Sequence, residues 1–290
     1  MRMIVVGVDG SDGAAHALRW AAAEGTIREW PVVAVLAWGF LDQHHPVVGD
    51  AFDPGYSPDD ASHALDSYVD SALGAAAPSV GRRIVADLPA RALLDAADGG
   101  DLLVVGARGL GGFRGLLLGS VSQKCLHEAT CPVAVIRPDE ADARTAGPPR
   151  VVAGVDGSEA ARHALEWAVD EAAARGAVLE VVHGWQPPFV GGLPMTGTVV
   201  DFSVFEDAAR QVVADAVAAV DLAALTQPVE RTVVCMGPSS ALLEASRRAD
   251  VTVVGARGLG GIKRMLLGSV SHQVTLHATG PVVVVPRHEA

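Results

Sequence analysis

Short runs rich in β-branched apolar residues alternate with longer Ala-rich stretches along the whole chain. In the first half the short β-branched runs are Ile4 to Val8, Val32 to Ala37, Arg82 to Ala86, Leu102 to Val105 and Val133 to Ile136. Each is rich in β-branched residues and too short for a helix, so each is expected to be a strand. Between them, segments such as AAHALRWAA and ALLDAAD carry apolar residues at helical spacing. The expected order is strand, helix, strand, a loop and helix, strand, helix, strand, helix, strand. Strands that are apolar throughout and alternate with helices belong to a parallel sheet covered on both faces.

The same pattern is written twice. MIVVGVDGSDGAAHALRWAA near the start matches RVVAGVDGSEAARHALEWAV from Arg150, and CPVAVIRP from Cys131 matches GPVVVVPR from Gly280. Asp9 pairs with Asp156, an offset of 156 − 9 = 147, and Gly106 pairs with Gly255, an offset of 255 − 106 = 149. The chain of 290 residues is therefore expected to form two tandem doubly wound α/β domains. The first spans 1–138 and the second 150–290. The polar, Pro/Gly-containing stretch 139–149 is the linker, with the boundary near Ala146. The two copies diverge most after their second strands, in Gly/Pro-rich segments expected to be long surface loops.

One loop is nearly identical in both copies. GARGLGGFRGLLLGS from Gly106 and GARGLGGIKRMLLGS from Gly255 differ at four of fifteen positions. Each follows a strand and precedes a helical run, and Ser120 with Gln123 has the spacing of a capping box at the helix start. Glycines before a helix N-terminus let backbone N–H groups approach an anion, and the helix end adds a partial positive charge. A phosphate suits that place. The loop is not a Walker motif, since no lysine precedes its serine, nor is it GxGxxG after a first strand. The plain alternative is glycine serving tight turns and helix caps, and copies inherit structural glycines as readily as functional ones.

An Asp after the first strand, followed by Gly, two residues, Gly, nine residues and Gly-Ser after the fourth, resembles the ATP-binding, tandem form of the universal stress protein family. The resemblance covers nearly the whole chain. It implies a five-stranded parallel sheet in the order 3-2-1-4-5 for each copy, Rossmann-like and similar to the adenine nucleotide α-hydrolases. It places a nucleotide between the ends of strands one and four, at the topological switch point. By the same resemblance Gly106, Gly109, Gly119, Ser120 and the Val121 N–H hold phosphates and ribose, as do Gly255, Gly258, Gly268, Ser269 and Val270. Asp9 and Asp156 lie against the adenosine part near Gly7 and Gly154, and Ala37 and Gly184 meet adenine with their main chains. Arg108 and Arg257 are triphosphate partners or surface cations, and Arg114, Lys263 and Arg264 reach a γ-phosphate or are simply solvated.

Composition narrows the alternatives. A net charge of −12 repels a nucleic acid backbone, and no apolar run reaches the length of a signal core or a membrane span, so a cytoplasmic protein with neither partner is expected. Three cysteines, Cys125, Cys131 and Cys235, lack metal-ligand spacing and fit reduced thiols. Asp9 also suits an Asx turn or helix cap. No acidic pair and downstream lysine accompany it as in a phospho-acceptor receiver. His44 and His45 are poor metal ligands. His16 and His163 recur one turn before Trp20 and Trp167 and are read as packing residues. No Ser/His/acid set, no SGGxDS and no HxGH motif is present, so no catalytic residue is assigned.

Three functions stand at this point. The first is regulation by ATP, alone or with Mg2+, bound once per repeat. The others are slow ATP hydrolysis or phosphoryl transfer, and a scaffold or a binder of AMP or cyclic AMP. The resemblance also implies that the copies pack as a pseudo-twofold dimer through CPVAVI and GPVVVV, and it leaves further homodimerisation open.

Overall fold

A computed structural model describes residues 2–38, 57–98, 100, 102–110, 117–137, 147–187, 202–258 and 267–286. Arg114, Lys263, Arg264, His44, His45, the two divergent loops and most of the linker lie outside the described residues. Repeat one runs β1 (Ile4–Val8), α1 (Asp12–Arg28), β2 (Val32–Ala37), α2 (Pro58–Leu73), β3 (Val80–Val85), α3 (Pro89–Ala97), β4 (Leu102–Gly106), α4 (Ser120–Glu128) and β5 (Val133–Ile136). Repeat two runs β6 (Arg150–Gly154), α5 (Glu159–Arg175), β7 (Val178–Trp185), α6 (Ser203–Ala218), β8 (Val229–Cys235), α7 (Pro238–Ser246), β9 (Val251–Gly255), α8 (Ser269–His277) and β10 (Val282–Val285).

The strands form one ten-stranded sheet in the order β3-β2-β1-β4-β5-β10-β9-β6-β7-β8. Within each repeat the order is 3-2-1-4-5 and every pairing is parallel. The repeats meet where β5 and β10 pair antiparallel, Ala134 opposite Val283. Antiparallel pairing of equivalent strands is what a twofold relation between the repeats produces.

Alternating side chains feed two cores. Ile4, Val6 and Val8 face α1 and α2, together with Leu18 and Leu65, whereas Val5 and Leu103 face α3 and α4 with Leu93 and Leu126. Repeat two is built the same way. The helices start on schedule, Ser11 and Ser158 capping Ala14 and Ala161 N–H groups at 3.1 and 3.2 Å.

Two expectations shift. β3 begins at Val80, not Arg82, because it pairs with β2 from Val32 onward, and as an edge strand it carries exposed Gly81, Arg82 and Arg83 that dilute its apolar pattern. The capping box at Ser120 does not form. Gly119 is the N-cap, Ser120 is the first helical residue, and no side chain among the described residues caps α4 or α8. His272, where Gln123 stands in repeat one, therefore changes nothing: Gln123 N–H bonds Gly119 O at 3.0 Å and His272 N–H bonds Gly268 O at 2.8 Å.

Candidate functional site

The site of each repeat lies where β1 and β4, or β6 and β9, end and separate toward opposite neighbours in the sheet. Asp9 sits just past β1. Its Oδ1 accepts from the Ser11 N–H at 3.0 Å and the Ser11 hydroxyl at 2.6 Å, the Asx turn expected of DGSD. Its Oδ2 does more, accepting from the Leu110 N–H at 3.0 Å and so tying the start of α1 to the glycine loop 101 residues away. Asp156 repeats the first part, with Ser158 N–H at 2.9 Å from Oδ1. Tyr68 on α2 adds a clasp in repeat one alone, its hydroxyl donating to Ser11 O at 2.6 Å.

The glycines divide by what a Cβ would meet. At Gly106 it would stand 2.8 Å from the backbone of Gly13, and at Gly255 2.7 Å from Ala160 O, so these two let the opening helix pack directly on the strand. At Gly109 and Gly258 it would overlap Oδ2 of Asp9 and Asp156, so these make room for the carboxylate. At Gly7 and Gly154 it would press on Leu93 and Leu242 at 2.7 and 2.8 Å, and at Gly184 on Met236 O at 2.8 Å.

Gly119 and Gly268 differ from all of these. Their nearest atoms are 3.6 and 3.4 Å from the hypothetical Cβ, an ordinary contact, and their backbone at φ −77°, ψ 159° and φ −70°, ψ 155° is open to any residue. Among the described residues nothing requires glycine there. Both stand as N-caps before helices whose first N–H groups have no intrahelical acceptor. Below them the helices are pinned: Ser122 Oγ donates to Gly106 O at 2.7 Å, and Ser271 Oγ donates to Gly255 O.

In repeat two these residues enclose a cavity of about 590 Å³, within the range of small-molecule sites. Gly154, Asp156 and Gly184 line one side of it, and Gly255, Arg257 and Gly258 line another. Gly268, Ser269 and Val270 present the start of α8. All nine candidate residues of that copy are thus brought together, with Leu242 and Pro238 of α7 as apolar wall. In repeat one Gly7, Asp9 and Ala37 occupy the matching ends of β1 and β2, Gly106, Arg108 and Gly109 follow β4, and Gly119, Ser120 and Val121 open α4. Among the described residues no cluster of three His, Cys, Asp or Glu side chains forms a metal site, and no helix is long and apolar enough to cross a membrane.

The sequence reading passed over four residues. Ser122 and Ser271 are visible in retrospect as the second serine of the repeated GSVS. Tyr68 and Arg137, described below, belong to one copy only and carry no repeat signal.

A family model described as the universal stress protein family matches residues 1–137 and again 148–286. A universal stress protein of Mycolicibacterium smegmatis is 34% identical over 293 residues, covering 97% of this chain and 96% of its own. One of Mycobacterium tuberculosis is 33% identical over 292 residues, covering 97% and 95%. Among solved structures, a universal stress protein from Archaeoglobus fulgidus aligns with 99% of this chain and 98% of its own at 20% identity and a TM-score of 0.62, a likeness of fold.

Proposed function

The chain belongs to the universal stress protein family, and from that premise we propose that it binds one adenine nucleotide, ATP first, at each repeat. It then acts as a regulatory protein of the stress response, through nucleotide-dependent conformation or partner binding, and not as an enzyme.

The observation that carries this reading is the pair Gly119 and Gly268. A glycine that neither its backbone conformation nor packing against the described residues calls for, at a helix start that no described side chain caps, is explained by a ligand approaching closer than a Cβ permits. The first-turn N–H groups of α4 and α8 and their helix dipoles hold the phosphates. Asp9 and Asp156 lie beside the adenosine part, and the apolar wall of α7 excludes water from the base in repeat two. A Mg2+ ion accompanying the nucleotide would ride on the phosphates, since no acidic cluster is built for it among the described residues. Binding is favoured over hydrolysis because both oxygens of Asp9 already accept hydrogen bonds from Ser11 and Leu110, which leaves it poorly placed as a general base.

Calorimetric titration with ATP tests this reading, with phosphate release followed in the same samples. Saturable binding that is lost in Gly119→Val/Gly268→Val, with phosphate release no faster than in that double variant, supports a regulatory binder. Release well above it would make the protein a phosphohydrolase, and absence of saturable uptake would leave the repeated loops as structure.

A further inference from the structure

Arg137 follows β5 directly in repeat one, yet its guanidinium is spent on repeat two. One of its terminal nitrogens donates to Ala278 O at 3.1 Å and the other to Thr275 O. Both carbonyls lie at the C-terminal end of α8. Thr275 O has lost its usual helical partner, because the Thr279 N–H turns away to Ser246 Oγ at 3.1 Å. A cation there satisfies an orphan acceptor and meets the negative end of the helix dipole.

The opposite end of this nine-residue helix is the anion cradle, where Ser269 and Val270 line the cavity. A helix roughly 13 Å long moves as one piece, so its N-terminal aim depends on how its C-terminus is held. Ser271 pins the first turn to β9 and Arg137 pins the last to β5.

The anchor itself is firmly based. Ile136 O accepts the Ala107 N–H at 2.7 Å, which ties the root of Arg137 to the residue just before Arg108 of the first glycine loop. Burial, and then the Arg108 charge, lowers the pKa of Arg137. Among the described residues the contact runs one way. Ala256 N–H bonds Val285 O at 2.8 Å in the matching place, so the counterpart of Arg137 is Pro286, whose side chain has no donor to return.

We propose that Arg137 of the first repeat is a positioning residue of the second repeat's nucleotide site, fixing α8 from its C-terminal end so that its first-turn N–H groups stay aimed at the phosphates. This rests on the nucleotide reading given above. It makes the two sites inequivalent: the second depends on this contact across the junction between repeats, and Pro286, at the matching place, cannot return it to the first.

The test uses the full chain with the first site filled by Gly119→Val, so that titration reports the second. ATP and adenosine are titrated into that chain with and without Arg137→Met, which keeps an unbranched apolar stem and removes every donor. The ATP Kd is expected to rise about tenfold and the adenosine Kd to change by under about twofold, since adenosine has no phosphate to aim at. Arg137→Lys, which keeps the charge, should recover part of the loss. In the Gly268→Val chain, which reports the first site, Arg137→Met should change the ATP Kd by under about threefold. An unchanged ATP Kd at the second site together with a lowered Tm would assign Arg137 to joining the repeats alone and overturn the proposal, as would equal losses for ATP and adenosine. If Gly119→Val without any change at Arg137 takes up no ATP, the nucleotide reading itself fails, and this proposal with it.

Discussion

Replacing Glu24 by glutamine should remove a pH dependence of stability that the natural chain carries between pH 4.5 and about 7. Glu24 on α1 and Glu171 on α5 are the same residue of the two repeats, and both are fully buried. Arg28 and Arg175, one turn further along those helices, each bond both carboxylates, closing a four-residue ring across the repeat junction. Trp30 and Trp167 cover the Arg28 guanidinium at 4.8 and 4.6 Å, and Asp250 lies within electrostatic reach of Arg175. Burial, and then the charge of Glu171, pushes the Glu24 carboxyl up to about 7. Burial pulls Glu171 the same way, but Arg28 and Arg175 overcome it and hold Glu171 below the usual carboxylate range.

A raised folded-state value means that the folded chain keeps a proton which the unfolded chain releases above 4.5. The stabilising contribution is full below that pH, shrinks as pH rises and is gone above about 7. The shift from 4.5 to about 7 corresponds to on the order of 3 kcal/mol. Glutamine has the shape of a protonated glutamate and does not titrate. Urea unfolding of the natural chain and of Glu24→Gln at pH 5 and pH 8 should show the variant gaining about 2–3 kcal/mol relative to the natural chain at the higher pH, with matching m values. A gap between the two that stays constant within about 0.5 kcal/mol would refute this account of the ring.

The remaining expectations concern backbone and site. Glu29 closes α1 at φ 56°, where Gly176 closes α5 at φ 60°, so Glu29→Gly should stabilise the chain by about 1 kcal/mol in chemical denaturation. Gly106→Ala should destabilise by about 1–3 kcal/mol by driving a methyl group into the Gly13 backbone, whereas Gly119→Ala should stay within about 0.5 kcal/mol of the natural chain. Tyr68→Phe removes the bond to Ser11 O and should cost about 1 kcal/mol in thermal denaturation, with weaker ATP binding at the first site only.

The repeated elements were the legible part of this chain. The buried strands β1, β4 and β5 are continuous apolar runs, their counterparts in the second repeat are interrupted by Arg150 and Thr252 alone, and Asp9 forms the Asx turn expected of DGSD while Ser11, not Asp9, caps α1. The edge strand β3 was less sharp because one side of it faces solvent. The glycine loop was recognised as a unit, but the separate tasks of its glycines were not, since Gly106 answers to a helix backbone distant in sequence and Gly109 to the Asp9 carboxylate. The helix start was expected with Ser120 as its cap because spacing alone cannot distinguish an N-cap serine from a first helical one. The ring of Glu24, Arg28, Glu171 and Arg175 and the reach of Arg137 arise only when two repeats are laid against each other. Neither follows from a period within one repeat.

The central claim is that Gly119 and Gly268 are glycine for the sake of a bound nucleotide. Equilibrium dialysis with labelled ATP, counting moles bound per chain, tests it across the natural protein, the two single valine variants and the double variant. The account predicts two, one, one and none, with all four chains folded to similar stability. Two moles retained by the Gly119→Val/Gly268→Val chain, or none bound by the natural protein, would contradict it.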